Sequence, residues 1–232
     1  MDISAVLLRM LRLRALAVIL IFAAVALVTN GYAIERHPGS VLLVALLLAG
    51  WYVNGTCIND LADEAIDKIN LPKAVGRPLA NGNASRRQLT VLASGAALFV
   101  VLLSAALDYR LAILSIAMLL LNWLYSMPPV RISYRGVFAP LLLPLGYVLY
   151  PYLAAVYVQH IALVRWDFVL LAALYVGFIG RIVLKDFRDV KGDRQYHKRT
   201  FIVRLRTAGD HYLQRCILEP GKRTADRSVL AS

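Results

Sequence analysis

Six long apolar runs divide the chain, and polar segments separate them. The runs cover roughly residues 13–29, 41–57, 89–107, 111–125, 137–158 and 166–184. Each approaches the roughly 20 apolar residues that a helix needs to cross the hydrocarbon core of a bilayer. Lipid leaves every backbone polar group to be satisfied within its own segment. The pattern therefore predicts an all-α, polytopic bundle of about six transmembrane helices.

The fifth apolar run differs from the others because it contains Pro140, Pro144 and Pro151. Proline removes a backbone donor and clashes with the preceding helical turn. Membrane helices tolerate such breaks where neighbouring helices or a cavity satisfy the freed carbonyls. The fifth span is therefore predicted to be kinked or broken.

Two acidic stretches, residues 59–67 and 185–193, follow the second and sixth runs. Their polar positions are Asn59, Asp60, Asp63 and Asp67 in the first, and Asp186, Asp189 and Asp193 in the second. A helix turns by about 100° per residue, so the first set spans about 100° and the second about 60° of a helix circumference. Each stretch, if helical, gathers its acids on one narrow face.

Clustered carboxylates repel one another, so a cation is needed to hold them ionised. Oxygen ligands favour Mg²⁺ or a similar hard ion, which commonly shares its coordination shell with substrate phosphates. The alternative is that each acidic helix end is solvated or carries ion pairs. Two such stretches, each at the end of a span, favour the metal–phosphate hypothesis.

Composition and charge agree with a membrane protein. The chain is 59% hydrophobic and 17% charged, with a mean hydropathy of +0.63, which excludes an ordinary soluble domain. The net charge is +12, and the basic residues lie between the runs and at the chain ends. This placement is typical of membrane orientation signals. We therefore expect the lipid bilayer and a diphosphate as partners, and no nucleic acid.

Both acidic stretches are predicted to lie on the same side of the membrane, because four spans separate them. Most Lys and Arg residues of the links belong to that side. The positive-inside rule therefore predicts a multi-pass protein of the cell or inner membrane with a cytoplasmic N-terminus and cytoplasmic active-site loops. Two metal-binding faces on one side can close around a single diphosphate.

This arrangement suits the ionisation of an allylic diphosphate. Two Mg²⁺ ions would make the diphosphate a better leaving group, and a helix bundle would keep water from the resulting carbocation. Basic side chains on the same side either grip phosphate oxygens or act as orientation markers. They are Lys73, Arg77, Arg131, Lys185, Lys191 and Lys198.

Five motifs, in order, resemble those of the UbiA-type intramembrane prenyltransferases. The acidic stretches are similar to the family's Asn-Asp-x-x-Asp-x-x-x-Asp and Asp-x-x-Asp-x-x-Gly-Asp motifs. The other three are the segments 76–79 (Gly-Arg-Pro-Leu), 125–131 (Tyr-Ser-Met-Pro-Pro-Val-Arg) and 199–205 (Arg-Thr-Phe-Ile-Val-Arg-Leu). The resemblance covers roughly residues 10–206.

The resemblance implies a helical bundle with a central cavity, two Mg²⁺ ions, and transfer of a polyprenyl group from its diphosphate to an acceptor, often aromatic. It implies metal ligation and catalysis by the six aspartates, with Asp63, Asp67, Asp186 and Asp189 as the catalytic set and Asp60 and Asp193 completing the ligands. It also implies diphosphate contacts from Asn59, Arg77, Arg131 and Lys185, with Lys191 as a further candidate. Tyr125 is expected on the cavity wall, where its ring could steady a carbocation.

The chain departs from the family after residue 206. The family has about nine spans, whereas six are found here, and residues 207–232 contain no further spanning run. We expect an incomplete prenyltransferase domain over residues 1–206 and a polar, basic, disordered tail over 207–232. We also expect this short form to bind diphosphate more readily than it turns it over.

Two other functions remain open at this stage. One is a catalytically impaired or non-catalytic membrane protein that binds prenyl diphosphate or cations, since acids facing a cavity can bind ions. The other is a CDP-alcohol phosphotransferase, although the Asp-Gly-x-x-Ala-Arg motif of that family is not found in the sequence. The acceptor is also open: a hydroxybenzoate, a quinone precursor, a tetrapyrrole, a glycerol phosphate or a sugar phosphate.

Overall fold

The computed structural model describes residues 2–32, 37–71, 73–136, 138–195 and 199–200, with the backbone alone at 70, 136, 185–195 and 199–200. Its helices are α1 (Ile3–Met10), α2 (Leu13–Thr29), α3 (Pro38–Asn70), α4 (Arg86–Leu107), α5 (Tyr109–Ser126), α6 (Phe138–Pro144), α7 (Tyr150–Val158) and α8 (Arg165–Gln195). A π-helical turn (Leu145–Leu149) joins α6 to α7, and a 3₁₀ turn covers Ile132–Tyr134. Two short strands, β1 (Arg135–Gly136) and β2 (Arg199–Thr200), pair in parallel.

The predicted all-α membrane bundle is confirmed. Five helical segments of the described chain are long and apolar enough to cross a membrane. The number becomes six when α1 and α2, which bend by 56° relative to each other, count as one span. The sequence did not predict α1 as a separate helix.

Local sequence signals explain where several helices begin. Ser85 and Gln88 form a capping box at the start of α4, in which each side chain accepts from the other residue's backbone N–H. The Asp108 side chain accepts from the backbone N–H groups of Arg110 and Leu111 and so caps α5. These caps fix the residues at which α4 and α5 begin.

The proline-containing fifth span is broken, as predicted. It consists of α6, the π-helical turn and α7, and Pro144 ends α6. A Cβ added at Gly146 would lie only 2.6 Å from Cζ2 of Trp51. Glycine at this position therefore lets the indole of α3 pack directly against the π-helical turn.

Helix α3 is the centre of the bundle. The most apolar 18-residue stretch of α3 is 56% buried, whereas the corresponding stretches are 22% buried in α4 and 17% buried in α5. The outer faces of α4 and α5 therefore remain available to lipid. Helix α3 packs against α2, α4, α5, α7 and α8. It also continues through the first acidic stretch to Asn70, with a break in helical geometry at Asp63 (φ −107°, ψ 16°).

The two ends of the bundle carry different polar groups. We call the end that holds Asp60 and Asp67 the acidic end. At the opposite end, Asp167 of α8 joins three elements: its carboxylate accepts from the Tyr152 hydroxyl, from Asn30 Nδ2 at 3.0 Å and from the Val164 backbone N–H at 2.7 Å. This network ties α2 and α7 to the start of α8.

The second acidic stretch reaches the same end as the first. The backbone of α8 continues to Gln195, and β2 then pairs with β1 beside the loop that carries Arg131. Arg131 in turn contacts Asp63. The chain path therefore agrees with the expectation, from counting spans, that the two stretches lie on one side.

Candidate active site

The three aspartates of α3 are buried together at the acidic end. Asp60, Asp63 and Asp67 are only 2%, 5% and 6% exposed. The helical spacing of the sequence brings them to one face, where Asn59 Nδ2 also donates to Asp63 Oδ2 at 3.2 Å. Buried carboxylates need partners, because desolvation disfavours their charged form.

Arg77, in the loop between α3 and α4, is the main partner of these acids. Its Nη1 donates to Asp60 Oδ1 and, at 3.1 Å, to Asn59 Oδ1. The same atom lies 2.7 Å from Asp67 Oδ2 without hydrogen-bond geometry, so this contact is ionic only. Burial alone would lower the pKa of Arg77, but the neighbouring carboxylates raise it above its usual value, so it remains a cation.

Arg12, at the bend between α1 and α2, is the second partner. Its Nη2 lies 2.5 Å from Asp60 Oδ1, and its Nε donates to the Gly76 carbonyl at 2.8 Å. Arg12 was not predicted as a site residue, because it belongs to a group of N-terminal arginines that orientation in the membrane already explains. The structure adds it to the predicted site.

Arg131 is the third partner and comes from the loop after α5. Its Nη2 donates to the Ala62 carbonyl at 2.7 Å and lies 3.4 Å from Asp63 Oδ1. The Ala62 carbonyl lies beside the break in α3 at Asp63. The guanidinium also stands 4.0 Å from the centre of the Tyr134 ring, which fixes its position by cation–π attraction.

The acidic end thus sets three guanidinium groups against three carboxylates, yet it leaves buried polar atoms unsatisfied. Among the described side chains, the buried atoms without a hydrogen bond are Asp60 Oδ2, Asp67 Oδ2, Arg131 Nε, Ser133 Oγ and Gln159 Nε2. All except Gln159 belong to the acidic end. Two are acceptors suited to a cation, and Arg131 Nε is a donor suited to an anion.

The donor set fits a hard divalent ion by chemistry, since its unsatisfied acceptors are carboxylate oxygens. Within the described part of the chain, however, no three His, Cys, Asp or Glu side chains converge closely enough to hold one metal ion. Arg12 and Arg77 occupy Asp60 instead. A metal at this end would have to compete with these arginines.

A cavity of about 740 Å³ opens beneath the acids. The residues at its polar end include Asn59, Asp63, Asp67 and Arg77. Arg131 is next to this end because it contacts Asp63. Its apolar walls carry aromatic rings from four elements, namely Trp51, Tyr52, Tyr125, Tyr147 and Phe178. Tyr147, in the π-helical turn, stacks on Phe178 of α8 with ring centres 5.3 Å apart. The cavity can hold a molecule with a charged head and an apolar body.

The structure therefore places the first half of the predicted site residues together. Asn59, Asp60, Asp63, Asp67, Arg77 and Arg131 share one cluster, and Tyr125 lies on the cavity wall. The side chains of Lys185, Asp186, Asp189, Lys191 and Asp193 lie outside the described residues. The second half-site remains a prediction.

A family model decides the identity of this bundle. The model of the UbiA prenyltransferase family matches residues 17–218 of the chain. The chain belongs to the UbiA prenyltransferase family. The resemblance inferred from the five motifs is thereby confirmed, and the CDP-alcohol phosphotransferase hypothesis is left without support.

Curated members of the UbiA family resemble the chain over most of its length. It is 29% identical over 178 residues to the bacteriochlorophyll synthase 33 kDa chain of Cereibacter sphaeroides, covering 74% of this chain and 56% of that protein. It is 28% identical to the chloroplastic chlorophyll synthase of Oryza sativa, in a match that covers 66% of this chain and 42% of that protein. It is 28% identical to the homogentisate phytyltransferase of Synechocystis, in a match that covers 73% of this chain and 57% of that protein. The chain spans about half the length of these relatives.

A solved structure shares the UbiA fold of the chain. A UbiA homologue from Archaeoglobus fulgidus, bound to DMAPP and Mg²⁺, superposes with a TM-score of 0.70 at 18% identity. The superposition covers 91% of this chain and 74% of that one. At this identity the likeness establishes the fold alone.

Proposed function

We propose that this UbiA family chain is a Mg²⁺-dependent prenyltransferase that moves a polyprenyl group from a prenyl diphosphate to an acceptor within the membrane. One observation carries the proposal: Asp67, whose Oδ2 accepts no hydrogen bond, lines the charged end of an aromatic cavity together with Asn59, Asp63 and Arg77. That combination suits a metal-bound diphosphate with an apolar tail. The homogentisate phytyltransferase and the DMAPP-bound homologue support the same class of donor.

In this proposal Asp60, Asp63 and Asp67 would hold Mg²⁺ in one half of the site. Asp186, Asp189 and Asp193 would hold it in the other half, with two ions in all. Bound Mg²⁺ would neutralise negative charge and so make the diphosphate a better leaving group. Arg77, Arg131 and Arg12 then turn from the carboxylates toward phosphate oxygens, where charge-assisted hydrogen bonds are strong. Asn59, Lys185 and Lys191 add further polar contacts.

The rest of the cavity protects the allylic cation that forms when the C–O bond breaks. Aromatic rings line this part of the cavity, and such a lining would keep water from the cation. A tyrosine face stabilises a nearby cation by about 0.5–2 kcal/mol, which is the role proposed for Tyr125 and Tyr147. The apolar tail of the donor lies among these rings, while the acceptor attacks the cation and loses a proton.

The same proposal assigns the acidic end and the N-terminus to the cytoplasmic side of the cell or inner membrane. The basic residues at that end support the orientation through the positive-inside rule. It also takes residues 1–206 as the prenyltransferase domain and 207–232 as a separate polar tail.

The test uses the purified chain in lipid nanodiscs with radiolabelled geranylgeranyl diphosphate. Binding and diphosphate release are measured with and without Mg²⁺, for the wild type, Asp63→Ala and Asp189→Ala. Glu64→Ala is the matched control, because Glu64 is the next residue of α3 but pairs with Lys68 and Arg86 away from the cavity. We expect Mg²⁺-dependent binding and release in the wild type and the control, and loss of both in the two Asp variants.

A non-catalytic membrane protein that binds prenyl diphosphate is the second candidate. The observation that favours it is the balance of three carboxylates by three guanidiniums, which already neutralises the site without turnover. Binding without release in the wild type would favour this candidate. Equal binding in the wild type and both Asp variants would overturn the two-half-site model.

A further inference from the structure

A groove of about 720 Å³ lies outside the central cavity, at the bend between α1 and α2. None of the residues that line it is acidic. Its walls combine three arginines with three large apolar side chains, namely Arg9, Arg12 and Arg14 with Leu8, Leu13 and Val75. We call this feature the arginine groove. It takes no part in the diphosphate site, apart from Arg12.

The walls of the arginine groove are held in place by packing. The inner face of α1 is fully buried at Val6 and Met10, which pack in one cluster with residues of α3 and α4. The chain then bends by 56° into α2. At the bend, Arg12 adopts left-handed backbone angles (φ 39°, ψ 62°), which are uncommon for a residue with a side chain. Its contacts with Asp60 and the Gly76 carbonyl hold it there.

The groove lies at the depth of the lipid headgroups. Arg12 contacts Asp60, which follows directly on the apolar run 41–57 of α3. Leu13, the next residue after Arg12, begins the apolar run 13–29. Both neighbouring runs therefore reach their ends at the bend, where the hydrocarbon core gives way to the polar interface.

Two of the three arginines carry charge that the protein does not compensate. Arg12 is paired with Asp60. Arg9 and Arg14 form no ion pair with any carboxylate whose side chain the structure describes. The groove therefore presents uncompensated positive charge, which suits an anionic oxygen group.

The apolar side chains of the groove are as exposed as its free arginines are unpaired. Leu8, Leu13 and Val75 are 69%, 70% and 67% exposed. A small polar anion would leave these side chains uncovered, whereas an amphiphile would cover them with its hydrocarbon chains. Basic pockets beside the ends of membrane helices are known to bind the headgroups of anionic lipids.

We propose that the arginine groove binds one anionic phospholipid of the surrounding bilayer. Its headgroup phosphate lies on Arg9 and Arg14, and its acyl chains follow Leu8, Leu13 and Val75. Orientation by the positive-inside rule requires only charge near the span and no groove. A bound lipid uses the charge together with the apolar wall. This site does not depend on the proposed transfer reaction, because the lipid is neither donor nor acceptor.

The test measures lipid binding one molecule at a time. The full chain, purified in detergent and depleted of lipid, is titrated with dioctanoyl phosphatidylglycerol or dioctanoyl phosphatidylcholine, and native mass spectrometry counts the bound molecules. These lipids share the phosphate and the acyl chains, but choline cancels the charge of the second. Glycerol 1-phosphate is added as a competitor, to show whether the free headgroup is sufficient.

The variants separate the groove from general surface charge. Arg9→Gln and Arg14→Gln each remove one free guanidinium, Arg9→Lys retains the charge, and Leu8→Gln removes part of the apolar wall. Arg87→Gln is the matched control. Arg87 is an exposed arginine at the start of α4, near the same end of the bundle, and it lines neither the groove nor the central cavity.

We expect the wild type to bind one phosphatidylglycerol about 25-fold more tightly than phosphatidylcholine, because each free arginine contributes about fivefold near an anionic headgroup. Arg9→Gln and Arg14→Gln should each lose about fivefold in affinity for phosphatidylglycerol. Arg9→Lys should lose less, Leu8→Gln should weaken both lipids alike, and Arg87→Gln should have no effect. Glycerol 1-phosphate should not compete.

Arg9→Gln also has a second measurement. Thermal unfolding without added lipid should be unchanged, because Arg9 pairs with no described carboxylate. Binding of radiolabelled geranylgeranyl diphosphate should stay within about twofold of the wild type, because Arg9 does not line the central cavity.

Four results would overturn the inference. They are equal affinity of the wild type for the two lipids, equal losses in Arg9→Gln and Arg87→Gln, displacement of the lipid by glycerol 1-phosphate, and loss of prenyl diphosphate binding in Arg9→Gln with lipid binding intact. A wild type that selects the anionic lipid but binds no prenyl diphosphate would contradict the proposed function and leave the lipid site standing.

Discussion

The bundle buries aspartates at both of its ends and treats them differently. At the opposite end, both carboxylate oxygens of Asp167 accept hydrogen bonds, from Tyr152, Asn30 and the backbone of Val164. At the acidic end, Asp60 Oδ2 and Asp67 Oδ2 accept none. Both regions bury carboxylate groups. Every carboxylate oxygen of Asp167 accepts a hydrogen bond, whereas two carboxylate oxygens at the acidic end accept none.

This difference separates a structural site from a functional one. An unsatisfied buried polar group costs about 1–3 kcal/mol, so most buried polar groups in proteins are paired. The Asp167 network meets this rule and joins helices. The acidic end violates it with both donors and acceptors, which is the pattern expected where a charged ligand completes the hydrogen bonding.

Among the substitutions considered, Arg77→Ala is expected to reduce stability the most. This change leaves Asp60 and Asp67 without the cation that both contact. Removing one partner of a buried ion pair costs about 3–5 kcal/mol, so thermal unfolding in detergent should begin at a much lower temperature. Added Mg²⁺ should restore part of the loss, because a divalent ion neutralises the same carboxylates.

Arg86→Ala is the control for this prediction. Arg86 also pairs with an acid of α3, Glu64, but its side chain is 62% exposed. An exposed pair contributes at most about 1 kcal/mol, and Mg²⁺ should not affect this variant. If the two variants were equally destabilised, or if Arg77→Ala did not respond to Mg²⁺, the acidic end would behave like an ordinary surface ion pair. Such a result would contradict its role as a cation site.

A second prediction concerns the satisfied end. Asp167→Ala leaves the Tyr152 hydroxyl, the Asn30 amide and the Val164 N–H without their acceptor. We expect a loss of about 2–3 kcal/mol in stability, followed by thermal unfolding. Affinity for geranylgeranyl diphosphate should remain within about twofold, since distant sites are independent. A large loss of donor affinity at full stability would show that this end also serves the ligand.

A third, smaller effect is expected at Gly146, between the two ends. In Gly146→Ala the new Cβ would lie 2.6 Å and 2.7 Å from two atoms of the Trp51 ring. Overpacking of this kind typically costs about 1–3 kcal/mol, and displacement of the indole should also reduce donor binding in the cavity. Both can be followed by thermal unfolding and by binding.

Gly95→Ala provides the matched comparison, because no atom lies within 4 Å of its added Cβ. Replacing a helical glycine by alanine in open space should be neutral or stabilising by up to about 1 kcal/mol. If both glycine variants behaved alike, close packing of Trp51 against the π-helical turn would not be what shapes the cavity.

The sequence predicts those parts of the structure that depend on local signals. The spans follow from apolar runs, because transfer into lipid depends on each segment by itself. The gathering of Asp60, Asp63 and Asp67 follows from helical periodicity, and the break in the fifth span follows from its prolines. For these features a single segment carries the information.

The contacts that complete the site depend on distant segments and could not be predicted. Arg12 meets Asp60 across 48 positions, and nothing distinguishes it from the arginines that only orient the chain. The break at Asp63 contains no proline or glycine, so the binding of Arg131 to the Ala62 carbonyl has no local signal. Such pairings are set by the packing of whole helices.

The way the acidic end is assembled has a consequence for biosynthesis. Of its three arginines, only Arg12 precedes α3 in the chain, while Arg77 and Arg131 follow it. When α3 leaves the ribosome, its aspartates therefore have one of their three cationic partners. Because unpaired carboxylates resist burial, this helix end should stay in water until the loop carrying Arg131 arrives. The ligand site would then be among the last features to form during insertion.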